Sequence, residues 1–428
     1  MREAFLLWAY NLGLLSLSPL WLPYLFWRAL FGNLKGGWRE RLGFPPKGPR
    51  GRPRVLVHTA SCGEVMAALP IIRELKAVLP EAWVGLSVQT STGYEVAKKS
   101  RASVDALLRP PLDLLLPVWL YLARVRPKVV CLVETELWPN LVLMAGRLGA
   151  RCLVASGRFA KTGRGALSRA VARIALSGVE KVLAQTERDA KVAESLGAEG
   201  RVEVVGNVKF DTALSPLSAE GREALRCDLG LEGGGPIVVA GSTHPGEEEV
   251  VAEAVARLKE EFSGLKAVVA PRRVERSAEV ESIFRGRGLT VRRRTRLSVG
   301  GAGLSVDVIV LDTMGELARV YAVADVAFVG GSIAPVGGHS LIEPLAQGVP
   351  VLFGPNVWNF RDVAREIVLA GAGMMVRDAE ELVEGLRRVL SDEALKRRMA
   401  KSALEIVRKN RGAAKRCAGE IAKWLREG

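Results

Sequence analysis

The chain holds only three histidines, His58, His244 and His339, and each lies in a glycine- and serine-rich turn rather than on an apolar face. The first belongs to His58-Thr59-Ala60-Ser61-Cys62-Gly63-Glu64, where an apolar run ends and an amphipathic pattern begins. That pattern reads as a buried strand, a tight turn and a helix with a carboxylate in its first turn. A carboxylate so placed can take a proton from a hydroxyl as a general base. The same S-x-x-E spacing also matches a capping box, which needs no chemistry. Further along, Val133-Glu134-Thr135-Glu136-Leu137-Trp138-Pro139-Asn140 sets two acids at a strand end beside Trp-Pro, a placement hard to explain by packing. Gly206-Asn207-Val208-Lys209-Phe210-Asp211 closes another strand with a lysine, which can stabilise developing negative charge if it faces a site.

The second half carries a different set. Gly241-Ser242-Thr243-His244-Pro245-Gly246-Glu247 follows a strand and opens a helix, where free amides and the helix dipole can hold an anion. Pro271-Arg272-Arg273 stands at another strand end, and arginine can grip a phosphate with two parallel hydrogen bonds. Asp312-Thr313-Met314-Gly315-Glu316 ends a third strand, with a capped helix start as its plain alternative. The most specific stretch runs from Gly330-Gly331-Ser332 to Gly337-Gly338-His339-Ser340-Leu341-Ile342-Glu343. Its glycines would let phosphate oxygens approach the backbone, and Glu343 could accept from ribose hydroxyls. No G-x-G-x-x-G or G-x-x-x-x-G-K-[ST] loop is present, which weighs against nicotinamide, flavin and ATP chemistry. The five cysteines are scattered without a C-x-x-C pair, so free thiols in a reduced compartment are expected, with no zinc site.

These stretches need strands and helices to hold them. From Val55 to Asp211 short apolar runs alternate with helical patterns, and after Gly233-Gly234-Gly235-Pro236, a hinge or a turn, the alternation starts again. Alternation of this kind predicts parallel sheets with crossover helices, twice over. Residues 5–27 carry no charge and would reach roughly 35 Å as a helix, enough to cross a bilayer core, although Pro19 and Pro23 would kink it and leave an interfacial helix open. Eight Lys or Arg against one acid follow between Arg28 and Arg54, which predicts a cytoplasmic flank and body. The expected organisation is a membrane anchor over 1–30, a basic juxtamembrane linker over 31–53, Rossmann-like domains over 54–215 and 216–405, and a terminal helix over 406–428. The net charge of +15 suits an anionic membrane surface or a phosphorylated substrate, and no RNP, zinc-finger or helix-turn-helix pattern points to nucleic acid.

Taken in order, these motifs resemble the Kdo transferases of lipopolysaccharide assembly, which move 3-deoxy-D-manno-octulosonic acid (Kdo) from CMP-Kdo to a lipid A precursor. The resemblance runs through H-T-A-S-C-G-E, E-T-E-L-W-P-N, G-N-V-K-F-D, G-S-T-H-P-G-E-E, P-R, D-T-M-G-E-L and G-G-S…G-G-H-S-L-I-E-P, nearly the whole chain. It implies a GT-B fold, with two Rossmann-like domains facing a cleft, and an inverting transfer to lipid IVA without metal or cofactor. By position, Glu64 matches the family's proton acceptor, and Glu134 and Lys209 match residues that stabilise the transition state. Pro271 and Arg272, Met314, Gly315 and Glu316, and Ser340, Leu341, Ile342 and Glu343 match the CMP-binding segments. His58, Ser61, Glu136, Ser242, Thr243, His244, Gly331, Ser332, Gly338 and His339 would support them. Ser340 stands where the family commonly has Asn, Arg273 where His often follows Pro-Arg, and Ser156-Gly157-Arg158-Phe159 where Asn-Ala-Arg-Leu is usual. The implied setting is the inner membrane, with the catalytic body on its cytoplasmic face.

Two other readings remain at this point. One is a different GT-B sugar-nucleotide enzyme, a UDP-sugar transferase or an epimerase. The other is a non-catalytic membrane protein that binds anionic lipid.

Overall fold

Valine-rich runs buried on both faces form the strands, and the segments between them supply the covering helices. The computed structural model of the protein describes residues 2–20, 23, 27, 36–100, 104–159, 165–297 and 306–427. The chain forms two compact units, Met1–Thr212 with Asn410–Gly428, and Ala213–Lys409.

The first unit contains β1 (Arg54–Thr59), β2 (Trp83–Val88), β3 (Ala106–Leu108), β4 (Val129–Val133), β5 (Arg151–Gly157), β6 (Lys181–Ala184) and β7 (Val202–Val204). They pair in the order β3-β2-β1-β4-β5-β6-β7, every neighbour parallel. In β4 all five residues are buried, as a parallel strand covered on both faces requires. The strand order reverses between β1 and β4, and ligands in open α/β sheets sit beyond the carboxyl ends of strands at such a switch point.

The second unit repeats the scheme with β8 (Ile237–Thr243), β9 (Lys266–Pro271), β10 (Val291–Arg293), β11 (Val308–Val310), β12 (Val326–Val329), β13 (Val351–Phe353) and β14 (Gly373–Met375). Their order is β10-β11-β9-β8-β12-β13-β14, again parallel, and the switch lies between β8 and β12. Strands β3, β10 and β14, three residues each, are not among those read from the sequence, and β10 carries two arginines.

The structure bears on three expectations. Of the two readings of the Gly233–Pro236 run the structure takes the turn: it leads into β8 inside the second unit, with Gly233 and Gly234 at φ 117° and 74°. From residue 36 onward the expected basic linker is part of the first unit. Its Arg41 is 1% exposed, and its guanidinium donates to the side-chain oxygen and the carbonyl of Gln89 at 2.6 and 2.8 Å. At the N-terminus the helix ends at Ser16, and among the described residues no helix is long and apolar enough to cross a membrane. Of the remainder of the expected anchor, residues 21, 22, 24–26 and 28–30 lie outside the described residues.

The last helix, Ala413–Glu427, belongs to the first unit, and its Cys417, Ile421 and Leu425 join the core formed by Val57, Ile71 and Val133. The carboxylate of Asp211 accepts from the amides of Gly412 and Ala414 at 2.5 and 2.7 Å, so this helix braces the short turn that carries Lys209.

Candidate active site

In the first unit, the turns after β1 and β4 meet at the switch point. The helix Cys62–Val78 starts on Ser61, whose hydroxyl accepts from the amide of Glu64 at 3.4 Å, while Glu64 Oε2 accepts from the amides of Ala60 and Ser61 at 2.6 and 2.9 Å. The capping box is therefore formed, and it points the Glu64 carboxylate back over the turn. Burial raises the pKa of Glu64 against the pull of these amides, and the charge of Glu134 adds to the rise. A carboxylate that is both oriented and less acidic is a better proton acceptor near neutral pH.

Glu134 is the first residue after β4 and has φ 59°, in the left-handed region that a non-glycine residue occupies at a cost of about 1–3 kcal/mol. Its Oε1 lies 2.9 Å from Lys209 Nζ, with the carboxylate nearly buried. Glu136 accepts from Trp138 Nε1 at 3.0 Å, and the Trp138 ring meets His58 edge-on with centroids 4.4 Å apart. Burial, followed by the charge of Glu64, lifts the Glu136 carboxyl to about 7. The structure thus gathers three carboxylates and Lys209 in one place. His58 lies beneath them, fully buried, with Nδ1 3.2 Å from Ser87 Oγ, and burial holds its pKa down at about 3. A neutral His58 supports Trp138 and is not a proton carrier here.

Glu136 gives a pH signature. Its pKa in the folded chain lies above the ordinary carboxyl value of 4.5. The stability linked to it is complete below the ordinary value and is lost as pH rises toward 7. Glu136→Gln removes the forced charge and keeps an acceptor for Trp138. The melting temperature of the variant relative to the parent should therefore rise between pH 4.5 and pH 7.5. A difference that stays flat across that range would contradict the assignment.

In the second unit the turns after β8 and β12 come together in the same way. The decisive residue is Glu247, which sequence reading passed over because an acid in a first helical turn is ordinary. It is 1% exposed, and its carboxylate accepts from five backbone amides: His244, Gly331, Ser332, Ile333 and Ala334, at 2.7–3.1 Å. The amides after β12, expected to cradle a phosphate, are thus already filled by this side chain. Gly331 and Ser332 shape the loop instead, and a Cβ at Gly330 would stand 2.6 Å from the Ser242 carbonyl and 2.8 Å from Glu247 Oε2. Thr243 is equally committed, since its hydroxyl donates to Glu248, which also pairs with Arg276 at 2.9 Å.

What stays available for an anion lies around the histidines. His244 and His339 stack in parallel with their Nε2 atoms 2.8 Å apart, so one ring donates and the other accepts. Burial, then the charge of Arg272, holds His339 down at about 4, and burial lowers His244 as well. Arg272 is exposed at the end of β9, and its charge also partly offsets the burial that raises Glu343, which Ser340 hydrogen-bonds. A cavity of about 260 Å³ opens beside them, lined by Thr243, His244, Pro245, Arg272, Arg273 and Arg276. Arg276 is held by Glu248 and Glu279, while the exposed Arg272 and Arg273 suit a phosphate.

The other residues expected to meet the nucleotide divide by exposure. Met314 is 74% exposed and Gly315 has φ 87°, while Glu316 accepts from the Thr313 hydroxyl and lies 3.7 Å from Arg294. Leu341 and Ile342 point into the core, which leaves their backbone as the part able to meet a ligand. Gly338, at φ 79°, folds its loop back by donating its amide to the Gly331 carbonyl, and Ser242 takes φ 56° at the end of β8.

A family model described as 3-Deoxy-D-manno-octulosonic-acid transferase (kdotransferase) matches residues 36–212, and one described as Glycosyl transferases group 1 matches residues 247–405. A 3-deoxy-D-manno-octulosonic acid transferase of Bordetella pertussis is 33% identical over 97% of this chain and 99% of its own length. The enzyme of that name from Aquifex aeolicus is 32% identical, over 78% of this chain and 85% of the relative. Among solved structures, the UDP-GlcNAc 2-epimerase of Neisseria meningitidis bound to UDP-GlcNAc superimposes with a TM-score of 0.56, covering 88% of this chain and 100% of the epimerase. At 14% identity that likeness speaks for the GT-B type of fold alone.

Proposed function

The chain belongs to the 3-deoxy-D-manno-octulosonic-acid transferase family of glycosyltransferases, and we propose that it moves Kdo from CMP-Kdo to a lipid A precursor, lipid IVA, releasing CMP with inversion. The observation that carries the reading is the amide-held, desolvated carboxylate of Glu64 beside the Glu134–Lys209 ion pair. Glu64 takes the proton of the acceptor hydroxyl as that oxygen attacks the anomeric carbon of Kdo. Lys209 and Glu134 stabilise the charge that develops there.

The leaving group is a phosphate monoester, which needs positive charge and hydrogen-bond donors and no covalent partner. Arg272 and the His244–His339 pair supply these, with Met314–Glu316 and Ser340–Glu343 holding the rest of CMP. The transfer runs without a metal ion or other cofactor.

A lipid acceptor calls for an enzyme at the membrane. Trp8, Leu12 and Leu15, spaced i, i+4 and i+7 on the first helix, are 62%, 45% and 71% exposed. An outward apolar stripe together with the exposed basic side chains Arg39, Lys47 and Arg50 suits an anionic bilayer surface, in this reading the cytoplasmic face of the inner membrane. Purified protein given CMP-Kdo and lipid IVA should release CMP and yield a lipid heavier by one or more Kdo residues in mass spectrometry. Release of UDP from a UDP-sugar, with none of CMP, would overturn the assignment.

A further inference from the structure

The helix Arg2–Ser16 sets two polar side chains, Tyr10 and Asn11, against the first unit. Asn11 and Asn140 exchange both amide hydrogen bonds, Asn11 Nδ2 donating to Asn140 Oδ1 at 2.7 Å and Asn140 Nδ2 to Asn11 Oδ1 at 3.0 Å. One residue earlier, the Tyr10 hydroxyl donates to Asp113 Oδ2 at 3.1 Å. Both partners hold the start of the helix Pro139–Arg147. Its N-cap is Trp138, whose side chain makes no cap bond. Asp113 supplies the cap from a distance, accepting from the amides of Asn140 and Leu141 at 3.2 and 2.9 Å. Asn140 Nδ2 also donates to the Asp113 carbonyl at 2.6 Å, and Asn140 is fully buried.

That helix start is the rear support of the turn carrying Glu134 and Glu136. Trp138 reaches back to Glu136 and packs on His58, so a shift at Asn140 moves Trp138 and, through it, Glu136. We propose that Tyr10 and Asn11 are positioning residues: the first helix, seated on the bilayer by its apolar stripe, holds the 134–140 turn in its working geometry through Asn140 and Asp113. The role rests on the transfer reading above and deepens it. A helix that served only as an anchor would need no reciprocal amide pair with a buried asparagine, and Tyr10 and Asn11 turned inward beside an outward apolar stripe reverse the usual pattern of a surface helix.

The test uses the full chain with lipid IVA in vesicles containing anionic phospholipid. Asn11→Leu removes the amide pair and keeps the helix apolar. We expect kcat to fall about tenfold or more, since small displacements of reacting groups carry penalties of that order. Vesicle binding and the KM for CMP-Kdo should stay at the parent values. Leu12→Ser with Leu15→Ser should do the reverse, weakening vesicle binding while kcat on detergent-dispersed acceptor is kept. Tyr10→Phe deletes one hydroxyl and little volume, so it carries the test if Asn11→Leu lowers the melting temperature, and its kcat should fall about threefold. Unchanged kcat in both Asn11→Leu and Tyr10→Phe, or a loss that merely follows release from vesicles, overturns the proposal. A parent protein that makes no product from CMP-Kdo refutes the transfer reading instead, and the two failures stay distinguishable.

Discussion

Replacing Glu64 by Gln is expected to cut turnover about a thousandfold, within the roughly 10²- to 10⁴-fold range of a positioned general base. The substitution separates the observed capping role of this side chain from the proposed role as base. As a cap, Glu64 accepts from the amides of Ala60 and Ser61, and a glutamine oxygen can still accept them. The structural loss should then stay below about 1 kcal/mol, the usual scale of a weakened cap. As a base the amide is useless, because it cannot take the acceptor's proton at neutral pH. Turnover should therefore collapse while the melting temperature and the affinity for CMP hardly move. Turnover within tenfold of the parent would return Glu64 to a capping role and place the base elsewhere, with Glu136 the first residue to examine.

Glu247→Ala should give the largest loss of stability. Five amides converge on this one buried carboxylate, and each buried donor left without an acceptor costs about 1–3 kcal/mol. Water entering the vacated space recovers part of this, so a net loss of about 4 kcal/mol is expected for the second unit. For a domain of this size that corresponds to a melting temperature lower by about 8–16 °C. CMP affinity should fall with it, because the loop after β12 and His244 both hang on the same carboxylate. Calorimetric melting and a CMP titration of the variant decide the matter. A transition within about 2 °C of the parent would mean that other contacts hold the loop.

Glu64 and Glu247 also mark the two sides of what could be read in advance. Both lie in the first turn of a helix after a strand, so they look alike in the sequence. Glu64 stands out because its motif lies among others that resemble a family. Glu247 does not stand out because four of its five partners lie more than eighty residues away, and no local pattern announces a nest that a distant loop completes. For the same reason the glycines at 330 and 331 suggested a phosphate cradle when the cradle was already filled from within the chain. Asn11 escaped notice as a neutral residue in an apolar run, and Asn140 as the tail of a Trp-Pro-Asn motif. Their pairing is a fact of packing alone.

By itself the sequence determined the family, the parallel α/β architecture and the position of nearly every long strand. Hydrophobic periodicity and strand-end motifs are local properties, written within ten or twenty consecutive residues. Tertiary structure decided the rest. It placed the turns after β1 and β4 together, and those after β8 and β12 together, because the strand order reverses there. It returned the final helix to the first unit, where it braces the turn of Lys209. It also raised the pKa of Glu64 and Glu136, because burial and neighbouring charge act through space and not along the chain.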